Sequence, residues 1–241
     1  MGPRKYGRIS GLATLLAALL ITLQAGRLRA EDSPVVVELF TSQGCSSCPS
    51  ADALMPELAA REDLIALSLH VDYWDYLGWP DQFAGPQFTA RQKRYAKAMG
   101  ERMVYTPQMV IGGAEHVVGN HGMKVANAIA RQKAISHGVT LKAHRSGGML
   151  ELQATARRPF KRLAQVIVMP YLTEASVQIG RGENAGRTVR YVNIVRDIHE
   201  IGKWDGRNAL SLRVPVPGEL PFVVVIQAGH HGPILGAAEL R

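Results

Sequence analysis

Hydrophobic and polar positions divide the chain into three stretches of different rhythm. Ile9 to Ala25 is an apolar run rich in Leu and Ala, preceded by Arg4, Lys5 and Arg8. From Pro34 to His137 short apolar runs alternate with helix-spaced ones. Val35 to Phe40 is nearly continuous, as expected of a buried strand. Ala51, Leu54, Leu58 and Ala59 then share a helix face, with Pro56 inside the pattern to kink it. Leu64 to Val71 reads as a second strand. Phe88, Tyr95, Ala96 and Met99 form one face of a helix whose other face carries Arg91, Lys93, Arg94 and Lys97, with Gly100 as its stop. Gln108 to Ile111, Gly112-Gly113 and Glu115 to Val118 make a hairpin, and Met123 to Ala134 a last helix.

After Gly138 the period becomes two. Val139, Leu141 and Ala143 alternate with Thr140, Lys142 and His144, and Leu150, Leu152, Ala154 and Ala156 alternate again beyond Ser146-Gly147-Gly148. Ala164 to Met169, Val189 to Val195, Leu210 to Val214 and Phe222 to Gln227 are further strands. Six to eight short strands in roughly 100 residues point to a β-sandwich.

The N-terminal stretch fits an export signal: a positive start, an apolar run, and small residues at Ala25 and Ala30 for cleavage. The alternative is an uncleaved inner-membrane anchor through residues 9–25, near the lower length limit for spanning. Either way the chain is expected to leave the cytoplasm, periplasmic or secreted, where thiols pair. The leader also explains the charge. The formal net charge is +8, but five basic residues and no acids lie in residues 1–30. The rest holds 23 Lys and Arg against 20 Asp and Glu, with no basic patch interleaved with aromatics. Nucleic acid is not an expected partner, nor is a membrane once the signal is cleaved.

The chain has two cysteines, Cys45 and Cys48, at Cys-x-x-Cys spacing between a strand and a helix. Free N–H groups at a helix start stabilise a thiolate. Cys45 is therefore expected to be the exposed nucleophile, and Cys48 the shielded partner that resolves a mixed disulfide. Pro49, without an N–H, suits the first helical turn. Downstream, Tyr105-Thr106-Pro107 precedes the hairpin.

This order of elements resembles thioredoxin. The segments VELFTSQGCSSCPSADALMPELA, HVDYWDYLGWPDQFAGPQFTARQKRYA, YTPQMVIGG and GENAGRTVRYVNIVR resemble more closely a secreted, thioredoxin-like bacterial family, domain of unknown function 1223, over about residues 34–240. The resemblance implies an α/β thioredoxin-like domain (31–138) after a signal peptide (1–30), with an all-β sandwich-like domain (139–241) behind it. It implies a cis Pro107 facing the disulfide and a Thr106 backbone that pairs with an extended substrate. It also implies a role for Glu38, mid-strand, as a buried proton acceptor for Cys48. Gly44 replaces the tryptophan that precedes the first cysteine in thioredoxin, and Ser46-Ser47 replaces its central pair, so no redox potential carries over.

The expected function is thiol–disulfide exchange with protein thiols or a redox partner. No dissociable cofactor is implied, because the disulfide carries the two electrons. The competing readings are a static disulfide in a thioredoxin-like binding module of the cell envelope, and metal ligation. A short loop removes little unfolded-state entropy, so the pair is a poor staple. Zinc wants four ligands, and His70, His116 and His121 are scattered, so no metal is expected. Glu38 has a plain alternative too, a strand carboxylate reaching solvent or an arginine. Tyr73, Trp74 and Trp79, with Asp72 and Tyr76, either line a peptide groove or cap the core. Gly180 to Arg187 has the glycines of a phosphate loop but not its Gly-Lys-Ser/Thr ending, and reads as a β-connection.

Overall fold

The computed structural model describes residues 1–2, 33–216, 218–229 and 231–241. The expected signal and the alternative anchor at 9–25 thus lie outside the described residues, as does His230. The described elements run β1 (Val35–Thr41), α1 (Pro49–Asp52), α2 (Met55–Ala59), β2 (Leu64–His70), a 3₁₀ turn (Asp75–Leu77), α3 (Pro86–Ala98), β3 (Gln108–Ile111), β4 (Glu115–Val118) and α4 (Gly122–Lys133). Eight strands follow: β5 (Val139–Ser146), β6 (Met149–Ala156), β7 (Ala164–Gln178), β8 (Thr188–Val195), β9 (His199–Trp204), β10 (Leu210–Pro215), β11 (Phe222–Ala228) and β12 (Ile234–Leu240).

The local readings translate directly. β1 and β2 are parallel, from Val35 opposite Leu64 to Thr41 opposite His70. Parallel neighbours need a crossover, which α1 and α2 supply. Pro56 does more than kink this crossover. The first helix stops at Asp52 and a second begins at Met55 with Pro56 in its first turn, where a missing N–H costs nothing. β3 runs antiparallel to β1 and pairs with β4 through Gly112 and Gly113, at φ 60° and 66°. Both positive angles suit a tight hairpin that other residues would strain.

Near residue 138 the secondary structure changes from mixed to all-β, but the sheet does not stop there. β8 joins the exposed side of β2 in parallel, and the large sheet runs β12-β11-β7-β8-β2-β1-β3-β4, with β9 on β7. The β2–β8 seam is closed by side chains as well as backbone. Ser68 Oγ donates to the Val192 carbonyl at 2.9 Å, and Asn193 Nδ2 donates to the Ala66 carbonyl at 2.9 Å. Asn193 adopts φ 48°, a left-handed conformation that Asn tolerates better than most residues. The fifteen-residue β7 changes neighbours along its length, pairing with β11 and β9 before Tyr171 and with β8 after it.

The second sheet, β10-β6-β5, is small and antiparallel. It covers Val166, Val168, Val224 and Ile226 of the large sheet with Leu150, Leu152 and Ala154. Two stacked sheets therefore exist, as the alternation suggests, but one of them belongs to both halves of the chain. On β1 the faces divide cleanly. Val36 and Phe40 pack with Phe88 and Tyr95 of α3. Val37 and Leu39 pack with Ala51, Met55 and the α4 residues Val125, Ala128 and Ile129.

Candidate active site

β1 delivers the chain to the site. After Thr41 a tight turn follows, closed by the Cys45 N–H on the Ser42 carbonyl at 3.1 Å. Cys48 caps α1, and Pro49 is its first residue. Cys45 and Cys48 are joined by a disulfide, Cα to Cα 5.4 Å. As expected Cys48 is buried, at 0% exposure. Against expectation Cys45 is buried too, at 2%. Two loops explain this. Trp74 packs on Gly44, where an added Cβ would meet both its Cβ and its carbonyl oxygen at 3.2 Å. From the other side the β7–β8 connection presses on the dithiol loop. Asn184 Nδ2 donates to the carbonyls of Gln43 and Cys45 at 2.9 and 2.8 Å, and Glu183 Oε2 accepts from the Ser46 N–H at 3.3 Å. The surroundings of the Cys45 sulfur are nonetheless polar. It lies 3.5 Å from the hydroxyl of Ser47, an exposed residue.

The Thr106–Pro107 peptide bond is cis. Gly119 sits between β1, α1 and this proline, where an added Cβ would be crowded: Leu39 Cδ1 and Ala51 Cβ would lie at 3.2 Å and Pro107 Cβ at 3.3 Å. Pro107 is thus one neighbour away from the helical turn that starts at Cys48. Trp74 Nε1 donates to Thr106 Oγ1 at 2.8 Å, so one residue touches Gly44 through its backbone and Cβ and Thr106 through its indole. Tyr73 donates to Gln92 Oε1 at 3.2 Å, and burial pushes its phenol up to about 12. Trp79 Nε1 donates to Gln43 Oε1 at 2.8 Å, and its ring packs on Gly180. Tyr73, Trp74 and Trp79 are all partly buried and tie loops together, while Tyr76 stands in solvent.

Glu38 is not beside Cys48. It shares the Val36–Phe40 face, toward α3, whereas α1 covers the opposite face. Its carboxylate accepts from Arg91 Nε at 2.6 Å, from Arg91 Nη2 at 3.2 Å and from the Tyr95 hydroxyl at 2.5 Å. Burial works against the Arg91 charge, but Glu38 and Tyr95 outweigh it and hold the guanidinium above its ordinary value. The reason is the strand period of two. Thr41, not Glu38, points to the α1 side.

That side holds a different acid. Asp52 follows Cys48 by four residues on α1, its N–H donating to the Cys48 carbonyl at 3.0 Å. Residues so spaced share a helix side. Asp52 is 2% exposed, and burial raises its carboxyl from 3.8 to about 7, against the charge of His70 and a Thr41 hydroxyl bond of 2.8 Å. Beneath it, His70 of β2 is fully buried, with Nδ1 2.6 Å from Asp81 Oδ2. Asp81 also accepts the Gln43 and Phe83 N–H groups. Burial pushes its carboxyl up, but the His70 charge and these bonds outweigh it and hold it below the ordinary value. Asp52 Oδ2 and His70 Nε2 have no hydrogen-bond partner. Buried polar atoms left open are uncommon, and each calls for a reason such as chemistry or a bound water.

The span from β1 to β11 that frames this site, residues 36–227, matches the family described as "Protein of unknown function (DUF1223)". The chain belongs to the DUF1223 family. An X-ray structure of a protein from Agrobacterium tumefaciens is similar, at 31% identity and a TM-score of 0.75, over 87% of this chain and 95% of that one. HBP35 of Porphyromonas gingivalis shares the fold at 11% identity and a TM-score of 0.61, over 86% of this chain and 74% of that one. No curated protein matches.

In this DUF1223 chain Trp74 thus links Gly44 of the dithiol loop to Thr106, and Pro107 is near α1 across Gly119, while Glu38 is bound to Arg91 and Tyr95 of α3. Asp52, Asp81, Glu183 and Asn184 were not among the residues the sequence pattern marked. The signal for Asp52 was its i, i+4 spacing from Cys48. For His70 it was a histidine inside the apolar Leu64–Val71 run. Glu183 and Asn184 lie in the Gly180 to Arg187 segment that reads as a β-connection, but their approach to the dithiol loop depends on β8 joining β2.

Proposed function

We propose that this protein is an exported, thioredoxin-like thiol–disulfide oxidoreductase acting on protein thiols in the periplasm or beyond. The observation that carries the reading is the placement of the Cys45–Cys48 disulfide, which closes a sequence separation of only 3 above a buried acid and histidine with open hydrogen-bonding atoms. A bond that closes so small a loop stabilises the fold little. Its chemistry is a better reason for it.

A substrate thiolate attacks Cys45 Sγ. The Cys45–Cys48 bond breaks, a Cys45–substrate bond forms, and Cys48 leaves as a thiolate that takes a proton from Asp52. A second substrate thiolate then attacks the substrate sulfur of the mixed disulfide and releases Cys45. The substrate loses two electrons and the protein gains two. In the opposite direction Asp52 accepts the Cys48 proton, and the Cys48 thiolate resolves the adduct. A carboxyl near 7 is suited to both tasks. Thr106 and Pro107 align the substrate backbone.

A Cys48→Ser variant tests this. Acid-quenched cells are expected to contain mixed disulfides through Cys45, absent from the Cys45→Ser, Cys48→Ser double variant. No adducts in the single variant would overturn the reading. The burial of Cys45 favours a second reading, a binding module with a static bond. In that case the bond survives reductants that open catalytic dithiols.

A further inference from the structure

The β7–β8 connection, residues 179–187, brings the C-terminal half of the chain to the dithiol loop. It is a built hairpin end. The Ile179 N–H donates to the Arg187 carbonyl at 2.9 Å and the Gly186 N–H to the Ile179 carbonyl at 2.8 Å, with Gly182 and Gly186 at φ 78° and 80°. Trp79 fits against it because Gly180 has no side chain; a Cβ there would lie 3.0 Å from the indole. Asn184 is buried at its centre and spends both bonds of its Nδ2 on the carbonyls that flank Gly44. The next residue back, Glu183, is exposed and holds its carboxylate on the Ser46 N–H.

That N–H is the first backbone donor after Cys45. A donor in this position would otherwise be free to face a Cys45 thiolate. With a carboxylate on it, the donor is occupied and a negative charge stands on the residue next to Cys45. Like charge disfavours the ionised thiol, and a less stable thiolate makes the disulfide harder to reduce.

We propose that Asn184 is a positioning residue and Glu183 a tuning residue of this redox centre: Asn184 fixes the dithiol loop against the strap, and the Glu183 carboxylate biases the pair toward the disulfide. The reduced centre is then a donor of electrons to substrate disulfides, recharged by a separate protein dithiol. In that direction Cys45 thiolate attacks the substrate disulfide and expels one substrate thiolate. Cys48 thiolate then attacks Cys45 and expels the other, so the substrate gains the two electrons that the centre loses. This rests on the oxidoreductase reading for its biological sense, but the electrostatic effect on Cys45 can be measured without it. The titratable groups packed by the dithiol loop are Asp52 on α1, His70 on β2 and Asp81 before α3, and the strap itself carries Arg181 and Arg187. The test leaves all of them in place.

Glu183→Gln and Glu183→Lys are exposed changes that should fold. Two quantities are read: the pH dependence of Cys45 alkylation by iodoacetamide after strong reduction, and the equilibrium with glutathione at pH 8. For Glu183→Gln the Cys45 pKa is expected to fall by about 0.5 unit and the dithiol to be favoured by up to about threefold, the limit reached once Cys45 is fully ionised, on the scale of one screened charge at close range. Glu183→Lys should give about twice that pKa shift, up to about tenfold, and 1 M salt should shrink both shifts. In an Asn184→Ala background Glu183→Gln should add nothing, because the strap no longer holds the carboxylate in place. Unchanged Cys45 titration in both Glu183 variants would overturn the tuning role. Additive effects would overturn the positioning role. A parent disulfide that never equilibrates with glutathione would instead count against the oxidoreductase reading, and the alkylation profile would still decide the role of Glu183.

Discussion

Glu38 and Asp52 are both buried acids beside β1, and they lead opposite lives. Glu38 receives three hydrogen bonds from Arg91 and Tyr95 and has no open atom. Asp52 receives one from Thr41 and leaves Oδ2 open, with the His70–Asp81 pair nearby. A fully satisfied buried ion pair holds a fold in one arrangement. A half-satisfied carboxyl pushed up to about 7 can change state at working pH. The difference separates a closed ion pair from an open carboxyl across a single sheet.

The largest effect should come from breaking the scaffold acid. Glu38→Ala leaves Arg91 buried and uncompensated, and is expected to cost about 3–5 kcal/mol in urea unfolding. Exchange activity per folded molecule should not change. A loss of activity in the folded fraction would return Glu38 to the reaction.

Asp52→Asn should act the other way. The folded-state value lies above the unfolded one, so between about pH 4 and pH 7 the folded chain holds a proton that the unfolded chain has lost. Stability therefore falls as pH rises through this window. Asparagine removes the slope, so the variant should be more stable by about 2–4 kcal/mol at pH 8 and equal to the parent below pH 4. It should also exchange thiols more slowly, with the pH dependence near 7 gone. Parallel stability curves for the two proteins would contradict the assignment. The smallest effect belongs to Trp74→Phe, which leaves the backbone and Cβ contact with Gly44 in place but loses the indole bond to Thr106. It should cost about 1 kcal/mol and weaken peptide substrates without slowing reduction by small thiols, as KM and kcat for the two substrate classes would reveal.

What the chain discloses by itself follows the range of the interactions. Cys45, Cys48 and Pro107 are legible because their meaning lies in neighbours one to four residues away. The strands are legible because alternation is local. Glu38 stayed open between a proton acceptor for Cys48 and the partner of an arginine because a continuous apolar run such as Val35 to Phe40 hides which side each residue faces. Only the pairing of Thr41 with His70 and the contact of Glu38 with Arg91 settle it. The shared sheet escaped for the same reason: β8 meets β2 at Ser68 and Ile194, positions that no short window connects. The burial of Cys45 needed that union, because the strap covering it is carried on β7 and β8.

The central claim is that the Cys45–Cys48 bond opens and closes in use. Incubation of the purified protein in graded glutathione buffers, followed by alkylation and mass measurement, tests it most directly. The account predicts an equilibrium within the range of catalytic dithiols, about −270 to −120 mV, with Cys45 the first sulfur to be labelled. A bond still closed below about −300 mV, as structural disulfides are, would contradict it.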